Sequence, residues 1–393
     1  MPVYPYKIVH IQLNHQEIFI PPSDRCGYYF VFWRNEIPVG DWYVSKGELY
    51  NEEMFKKKIE EGTKARLDEY QSARLNKYQH SLENLPGSVD ISVVICTRNR
   101  TADLAVCLDH LQQQKCKPAE IIVVDNAPGD NSTEQLVQNY NGVTYCREPR
   151  PGLDIARNTG ARIASSPVIA YTDDDVEAHP LWLFHVNESF KDPQVSAMTG
   201  LVIAAELETE SQQIFEKYWS FNRGYTDRYY TPEFFNKHLR TGPPVWEIGA
   251  GANMAFRKKI FEEAGYFDER LDVGAAGCNG DSEMWFRILA HGGTIHYNPR
   301  AVTFHKHRKE LKQLKKQLFY YMRGFAAAAL IQQQHDKRVN YKKHLYGNLP
   351  KYYLKKLLRH FPTYPFRYQT LFREMGGLLS GILYYRKHKH AKS

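Results

Sequence analysis

An alternation between residues 90 and 175 is the strongest constraint on this chain: short apolar runs are separated by stretches with helical spacing. "DISVVICT", "EIIVVDNA", "GVTYCREP" and "PVIAYTDDD" read as four strands. Between them, "RTADLAVCLDHLQQQ", with Leu104, Leu108 and Leu111 on one face, and "GLDIARNTGARIAS" read as helices. Strands that are apolar on both faces must be covered on both faces, and crossover helices do this. The pattern predicts an α/β fold with a mostly parallel sheet and right-handed connections. In such sheets ligands sit beyond the carboxyl ends of the strands.

Those ends are polar. The first strand finishes in Thr97-Arg98-Asn99-Arg100, the second in Asp125-Asn126 and the fourth in Asp173-Asp174-Asp175. Three adjacent aspartates repel one another unless a cation or a partner neutralises them. The triplet alone would also suit an acidic turn, because aspartate favours turns and helix starts. Polar groups gathered from three strand ends on one edge point instead to a ligand pocket. Aspartate oxygens are hard ligands for Mg²⁺ or Mn²⁺, and an ion bound by one or two carboxylates completes its shell with substrate phosphates. With Asp125, Arg98 and Arg157 beside the triplet, the pocket suits a nucleotide diphosphate. One carboxylate can take a sugar or ribose hydroxyl and another the metal. No GxxxxGKS/T loop is present, which excludes a P-loop NTPase, and no GxGxxG follows the first strand, which weakens a dinucleotide-dependent reductase.

At 393 residues the chain can hold more than one unit. Residues 1–50 are β-rich, with "YKIVHIQL", "EIFIPP" and a hairpin in "YYFVFWRNEIPVGDWYV" that turns near Arg34-Asn35-Glu36. Residues 51–88 form a charged helix, with Asn51 as its N-cap, and the linker "ENLPGSVD". Residues 89–306 carry the alternating pattern, and residues 307–393 are a basic, aromatic-rich helical region. From residue 306 onward, 21 lysines and arginines face three acids, Glu310, Asp336 and Glu374, in a chain whose total charge is +8. A basic tail on an acidic body points to an anionic partner. "YYLKKLLRHFPTYPFRYQTLFREMGGLLSGILYY" mixes Leu, Phe and Tyr with Lys and Arg as interfacial helices do, so an anionic membrane surface is one expectation and a packed basic cap the other. No nucleic-acid-binding motif accompanies the charge, and nucleic acid is not expected as a partner. Six cysteines without a CxxC pair suit a reduced cytosolic protein. The N-terminal stretch lacks the pattern of a signal peptide, and no run approaches the roughly 18 apolar residues of a membrane span.

Seven stretches, in chain order, carry a family likeness: "SVVICTRNR", "EIIVVDNAP", "GLDIARNTGA", "YTDDDVEAHPLWL", "GAGANMAFRKKIFEEAGYFDERL", "GDSEMWFRIL" and "AVTFHKH". Over residues 90–306 the chain resembles glycosyltransferase family 2. The resemblance implies the GT-A fold, a Rossmann-like, mostly parallel sheet, and inverting transfer from a nucleotide sugar with Mn²⁺ or Mg²⁺. Thr97 and Asp125 match positions that hold the base and its ribose, and Arg157 matches an arginine near the nucleotide. Asp173 and Asp175 fill the outer positions of the DxD motif around Asp174, with Asp175 the main metal ligand. Gly249, Gly251 and Asn253 match a segment lining the donor sugar. His305 matches a histidine that in some relatives approaches the metal or diphosphate; a surface histidine beside His307 is the other reading. The acidic motif at a helix start, ordinarily Glu-Asp, keeps only Asp281 as the candidate base, because Gly280 replaces the first acid. That departure removes one neighbouring charge that could tune the base. Glu283 and Arg287, at i and i+4, read as a structural helix pair. The aromatic stretch within residues 206–247 serves either sugar stacking or the core.

The expectation is a cytosolic glycosyltransferase, peripheral at the inner face of the membrane, that adds a sugar to a glycan or lipid-linked acceptor in cell-surface polysaccharide synthesis. A sugar-nucleotide-forming nucleotidyltransferase would need a glycine-rich loop that "CTRNRTAD" lacks. A non-catalytic carbohydrate-binding protein on a transferase fold is the remaining alternative, and the acidic triplet together with Asp281 counts against it.

Overall fold

The structure is a computed structural model of the chain and describes residues 5–14, 26–48, 50–69 and 82–390. Two sheets organise it. In the smaller, β1 (Tyr6–Gln12) pairs parallel with β2 (Gly27–Arg34), which forms a hairpin with β3 (Ile37–Val44). The turn falls at Asn35, whose φ of 55° is tolerated best by glycine and asparagine. Period-two alternation divides the aromatic residues of β2 between its faces. Tyr28, Phe30 and Phe32 pack with Phe55 of α1 (Glu52–Glu69), while Tyr29, Val31 and Trp33 pack on Leu201, Ile203 and Val302 of the larger sheet. Asn51 caps α1, its Oδ1 accepting from the Met54 amide at 2.8 Å. The expected strand "EIFIPP" and residues 70–81 of the expected long helix lie outside the described residues.

The larger sheet comprises β4 (Ser88–Thr97), β5 (Lys117–Asn126), β6 (Val143–Glu148), β7 (Val168–Asp173), β8 (Val176–Ala178), β9 (Val195–Ala204), β10 (Arg228–Tyr230), β11 (Asn253–Arg257) and β12 (Thr294–His305). Its order is β10-β12-β9-β11-β7-β4-β5-β6, with β8 paired to β12. The four strands read from the alternating pattern are the parallel set β7-β4-β5-β6. β11 runs antiparallel between β7 and β9. Helix α2 (Thr101–Gln112) covers one face through Leu104, Leu108 and Leu111 on Val93, Ile95 and Val123. Helix α3 (Leu153–Ile163) covers the other through Ala156 and Ala161 on Val94 and Val124.

Further along lie α4 (Trp182–Ser189), α5 (Glu210–Tyr218), α6 (Gly280–Ala290), α7 (Leu311–His335), α8 (Leu349–His360) and α9 (Leu371–His388). The basic C-terminal region is not a free tail. Ala326, Ala329, Leu330, Tyr341 and Leu345 share a core with Trp285, Phe286 and Ile288 of α6. Helix α9 lies tightly on α7, and a Cβ at Gly377 or Gly381 would come within 2.3 or 2.2 Å of the Phe319 or Arg323 carbonyl oxygen. Among the described residues no helix is long and apolar enough to cross a membrane.

Candidate active site

The parallel register of β7, β4 and β5 sets Cys96 beside Asp173 and Thr97 beside Asp125, so three strand ends share one edge. Just past β4, Asn99 adopts a φ of 54° and turns the chain back on itself. Arg100 is thereby aimed at the triplet: Nη1 donates to Asp174 Oδ1 at 2.6 Å and Nη2 to Asp175 Oδ2 at 2.8 Å. Thr97 Oγ1 donates to Asp174 Oδ2 at 2.7 Å. Asp174 and Thr97, both expected at the donor, are therefore engaged with each other, and Asp174 anchors the loop internally.

The outer aspartates face another way. Asp173, Asp175 and His305 each offer a ligand atom, all within 4.8 Å of one another. His305 arrives at the end of β12, where its register opposite Val176 of β8 places it beside the triplet, 3.4 Å from Asp175 Oδ1. Burial lowers its pKa to about 4, so the imidazole is neutral at neutral pH and keeps a lone pair for a ligand. Burial and the charge of Asp175 push Asp173 up to about 7. For Asp175, burial is outweighed by His305 and Arg100, and the carboxyl lies below its ordinary value; with His305 neutral, Arg100 is the cation that matters. His307 is no surface residue: it is buried, with Nε2 2.7 Å from Glu216 Oε2.

A second group lies across the cleft. Asp281, in the first turn of α6, accepts from the Ser282 amide at 2.6 Å. Burial raises its pKa; Arg157 opposes the rise and Asp272 adds to it. Arg157 was expected near the nucleotide. The structure instead holds it between two protein carboxylates, with Nη1 donating to Asp154 Oδ1 at 2.9 Å and to Asp272 Oδ2 at 2.7 Å. Gly251 stands where Arg157 and Asp281 meet: a Cβ there would lie 2.8 Å from Arg157 Nη2 and 3.3 Å from Asp281 Oδ2. Gly249 is pressed against Thr199, whose Oγ1 would be 2.1 Å from a Cβ. Both glycines line the cleft, but the close approach they permit is to protein atoms.

Asn253 does not reach the cleft. Its side chain is fully buried, accepting from Trp182 Nε1 at 2.9 Å and donating to the carbonyls of Ala301 at 2.8 Å and Leu201 at 3.1 Å. It stitches three elements together, which corrects the expectation that it lines the donor sugar. Asp125 is buried and accepts from the Tyr145 hydroxyl at 3.1 Å, while its Oδ1 has no hydrogen-bond partner among the described residues. Burial raises its pKa. Arg98 is exposed on the cleft wall. Glu283 and Arg287 form the expected helix pair, with Arg287 Nε donating to Glu283 at 2.8 and 2.9 Å.

The cleft has a volume of about 2150 Å³ and runs from the triplet past Asp281 to the C-terminal helices, where Tyr320, Leu383 and Tyr384 line it. The aromatic stretch before β11 divides its work: Trp219, Phe221 and Trp246 line the cleft, whereas Phe215, Tyr230 and Phe235 are core. Sequence reasoning placed Arg100 on the polar edge without giving it a role, and it missed Asp154 and Asp272. The asparagine preceding Arg100, at the end of a strand, was a usable sign of a reversal. Nothing local marks Asp154 or Asp272, which reach Asp281 only through the tertiary fold.

A mostly parallel sheet with an acidic strand-end site and an opposing carboxylate is the build of a GT-A transferase. Residues 92–265 match the model of glycosyl transferase family 2, which marks this stretch as a glycosyltransferase domain. It is 23% identical over 231 residues to the glucosyl-dolichyl phosphate glucuronosyltransferase of Haloferax volcanii, covering 55% of this chain and 69% of that one. With the pre-mycofactocin glycosyltransferase of Mycobacterium tuberculosis the identity is 24%, covering 64% of this chain and half (50%) of the relative. With the hyaluronan synthase of Pasteurella multocida it is 25%, covering 56% of this chain and 24% of the synthase. A mannosyltransferase from Pyrobaculum calidifontis, solved with GDP-mannose and Mn²⁺, is similar at a TM-score of 0.43 and 17% identity, covering 81% of this chain and 82% of that one.

Proposed function

We propose that the protein transfers a sugar, with inversion, from a nucleotide diphosphate to a hydroxyl of a glycan or lipid-linked acceptor. The observation that carries this reading is the meeting in one cleft of an Asp–Asp–His set and a buried carboxylate at a helix start. Two carboxylates and a neutral imidazole fit a divalent ion, and the nitrogen favours Mn²⁺ over Mg²⁺. Asp173, Asp175 and His305 would hold it, and as a Lewis acid it would offset charge on the departing diphosphate. Arg98 and Arg308, both on the cleft wall, supply cations for the phosphates. Asp281 removes the proton of the acceptor hydroxyl; the oxygen attacks the anomeric carbon opposite the diphosphate as the carbon–oxygen bond to phosphate breaks. One displacement inverts that centre.

The acceptor class is supported by the outer surface of the C-terminal helices. Leu354, Leu358 and Phe361 follow helical spacing on and just beyond α8 and are 58%, 73% and 74% exposed, with Lys351, Lys355 and Arg359 beside them. An apolar stripe flanked by basic residues suits an anionic membrane surface, so we place the enzyme peripherally on a membrane, acting in cell-surface polysaccharide synthesis. The first relative named above acts on a dolichyl phosphate-linked sugar, in keeping with a lipid-linked acceptor.

A panel of nucleotide sugars tested by thermal shift with and without Mn²⁺ checks the donor. A true donor stabilises the folded protein by mass action, and only with the metal. A panel in which no nucleotide sugar raises the melting temperature would sink the reading. For the membrane, Leu358→Asp with Phe361→Asp should abolish sedimentation with anionic liposomes and leave folding intact; equal sedimentation of the parent with neutral and anionic vesicles would reject the electrostatic part.

A further inference from the structure

The replacement of the motif's first acid by Gly280 suggested that Asp281 had lost a neighbouring charge. It has not. An ideal Cβ at Gly280 would lie 2.1 Å from Asp154 Oδ2 and 2.5 Å from its Cγ. Residue 280 has no side chain because a carboxylate from α3 occupies the space. Asp154 is 1% exposed. Its Oδ1 holds Arg157, while Oδ2, turned towards Gly280, has no hydrogen-bond partner among the described residues. The same guanidinium reaches the narrow space at Gly251 that Asp281 Oδ2 also faces.

We infer that Asp154 is the second acid of the catalytic pair, delivered from a different helix, and that it acts on the base Asp281 through Arg157 as a positioning residue. The inference rests on the reading of Asp281 as the base. Six ionisable groups act electrostatically on Asp281: Asp154 and Arg157 from α3, Asp272 and Cys278 from the loop before α6, Arg223 from the loop after α5, and Tyr321 from α7. The thiol and the phenol are buried and pushed far up, so they are uncharged at neutral pH. Burial and the charge of Asp272 push the Asp154 carboxyl up, and Arg157, donating to it at 2.9 Å, opposes the rise; with that pair ionised, two guanidiniums oppose two carboxylates. Arg157 opposes the rise of Asp281 with a charge that Asp154 and Asp272, both bound to it, partly answer. Loss of the Asp154 charge would leave Arg157 freer to hold Asp281 ionised, and a more acidic carboxylate is a weaker base.

Two measurements test this, and neither needs a substrate. In the first, Gly280→Asp, Asp154→Gly and the double variant are compared by thermal unfolding. Gly280→Asp alone should lower the melting temperature by several degrees, and Asp154→Gly should recover at least half of that loss, as expected of residues sharing one space. In the second, the Asp281 carboxyl is followed by ¹³C NMR, assigned with Asp281→Asn, in the parent and in Asp154→Asn, which keeps the shape and removes the charge. The apparent pKa should fall by about 0.5 unit or more. Additive melting temperatures would mean that residues 154 and 280 do not share one space, and a titration that does not move would make Asp154 a mere space filler; either result overturns the proposal. If Asp281 were not the base, turnover would survive Asp281→Asn, an outcome separate from both measurements.

Discussion

The strand-end triplet and the group around Asp281 each set three aspartates about one arginine that hydrogen-bonds two of them, yet the two arrangements differ in what they leave unanswered. At the triplet the arginine stands to one side. Arg100 grips Asp174 and Asp175, is shared with Asp103 at 3.1 Å, and leaves Asp173 facing the charge of Asp175. The adjacent histidine is neutral. Negative charge is left over, and a divalent cation can remove it. Around Asp281 the arginine is central and saturated, with Asp154 and Asp272 on one of its nitrogens. No deficit of positive charge on that scale remains, and burial works on a proton instead. On the proposed reading, the position of one guanidinium separates the acids that would hold a metal from those that would handle a proton.

The largest expected effect tests the proton-handling side. Asp281→Asn keeps size and removes the basic lone pair, so turnover should fall by about 10²- to 10⁴-fold with little change in donor affinity. In the parent, the acidic limb of kcat/KM should lie above an ordinary aspartate pKa, because burial raises that of Asp281. Parental turnover in the Asn variant would move the base elsewhere, although Glu283, locked to Arg287, is a poor successor.

Asp175→Asn should abolish Mn²⁺-dependent nucleotide binding in calorimetry, which a bland acidic turn would leave untouched. It should also destabilise the metal-free protein by about 1–2 kcal/mol, since it breaks the pair with Arg100. A simple relief of repulsion within the triplet would predict the reverse sign, and urea unfolding in chelator decides between them.

Asp272→Asn is a milder probe. Asp272 has a φ of 61°, which asparagine tolerates, so the turn should survive while half of Arg157's neutralisation is lost. The acidic limb of the pH–rate profile should move down by about 0.5 to 1 unit. A limb that does not move would mean that Asp272 has no hold on Asp281, either directly or through the arginine.

The smallest effect belongs to Asp173. Its folded-state pKa of about 7 is raised above that of the unfolded chain, near 3.9. The stability it contributes is therefore fully present below pH ~4 and lost as pH rises through ~7. In chelator, Asp173→Asn should be slightly more stable than the parent at pH 8 and similar to it near pH 4. Equal stability at both pH values would mean that Asp173 is already neutralised.

How much of this was readable in the sequence follows from distance along the chain. Asp173, Asp174 and Asp175 are consecutive and end an apolar run, so both the strand and the acidic edge are visible in one window of "PVIAYTDDD". Helix α2 was equally plain from Leu104, Leu108 and Leu111. The second cluster draws on residues 154, 157, 272 and 281, which no local pattern connects. Gly280 read as a loss because the space beside it is filled from more than a hundred residues away. Asn253 misled for a related reason: its place in a glycine-rich stretch suggests a loop, but β11 inserts it between β7 and β9, where its amide answers buried carbonyls. Composition alone could not tell a basic tail from a wall, because the inner residues of α7 and α9 are the small ones, Ala326, Ala329, Gly377 and Gly381.

That wall limits how the molecule can be handled. Because α7 completes the core over Trp285 and Phe286, cutting the chain near residue 306 would strip a hydrophobic surface bare rather than release an appendage. The exposed face and the catalytic opening also meet on α9, where Leu383 is 62% exposed and borders the cleft. A sheet of lipid resting on that face would therefore dictate the compass bearing of the opening. Reach towards an acceptor would then be set by helix thickness, and not by the slack of a tether.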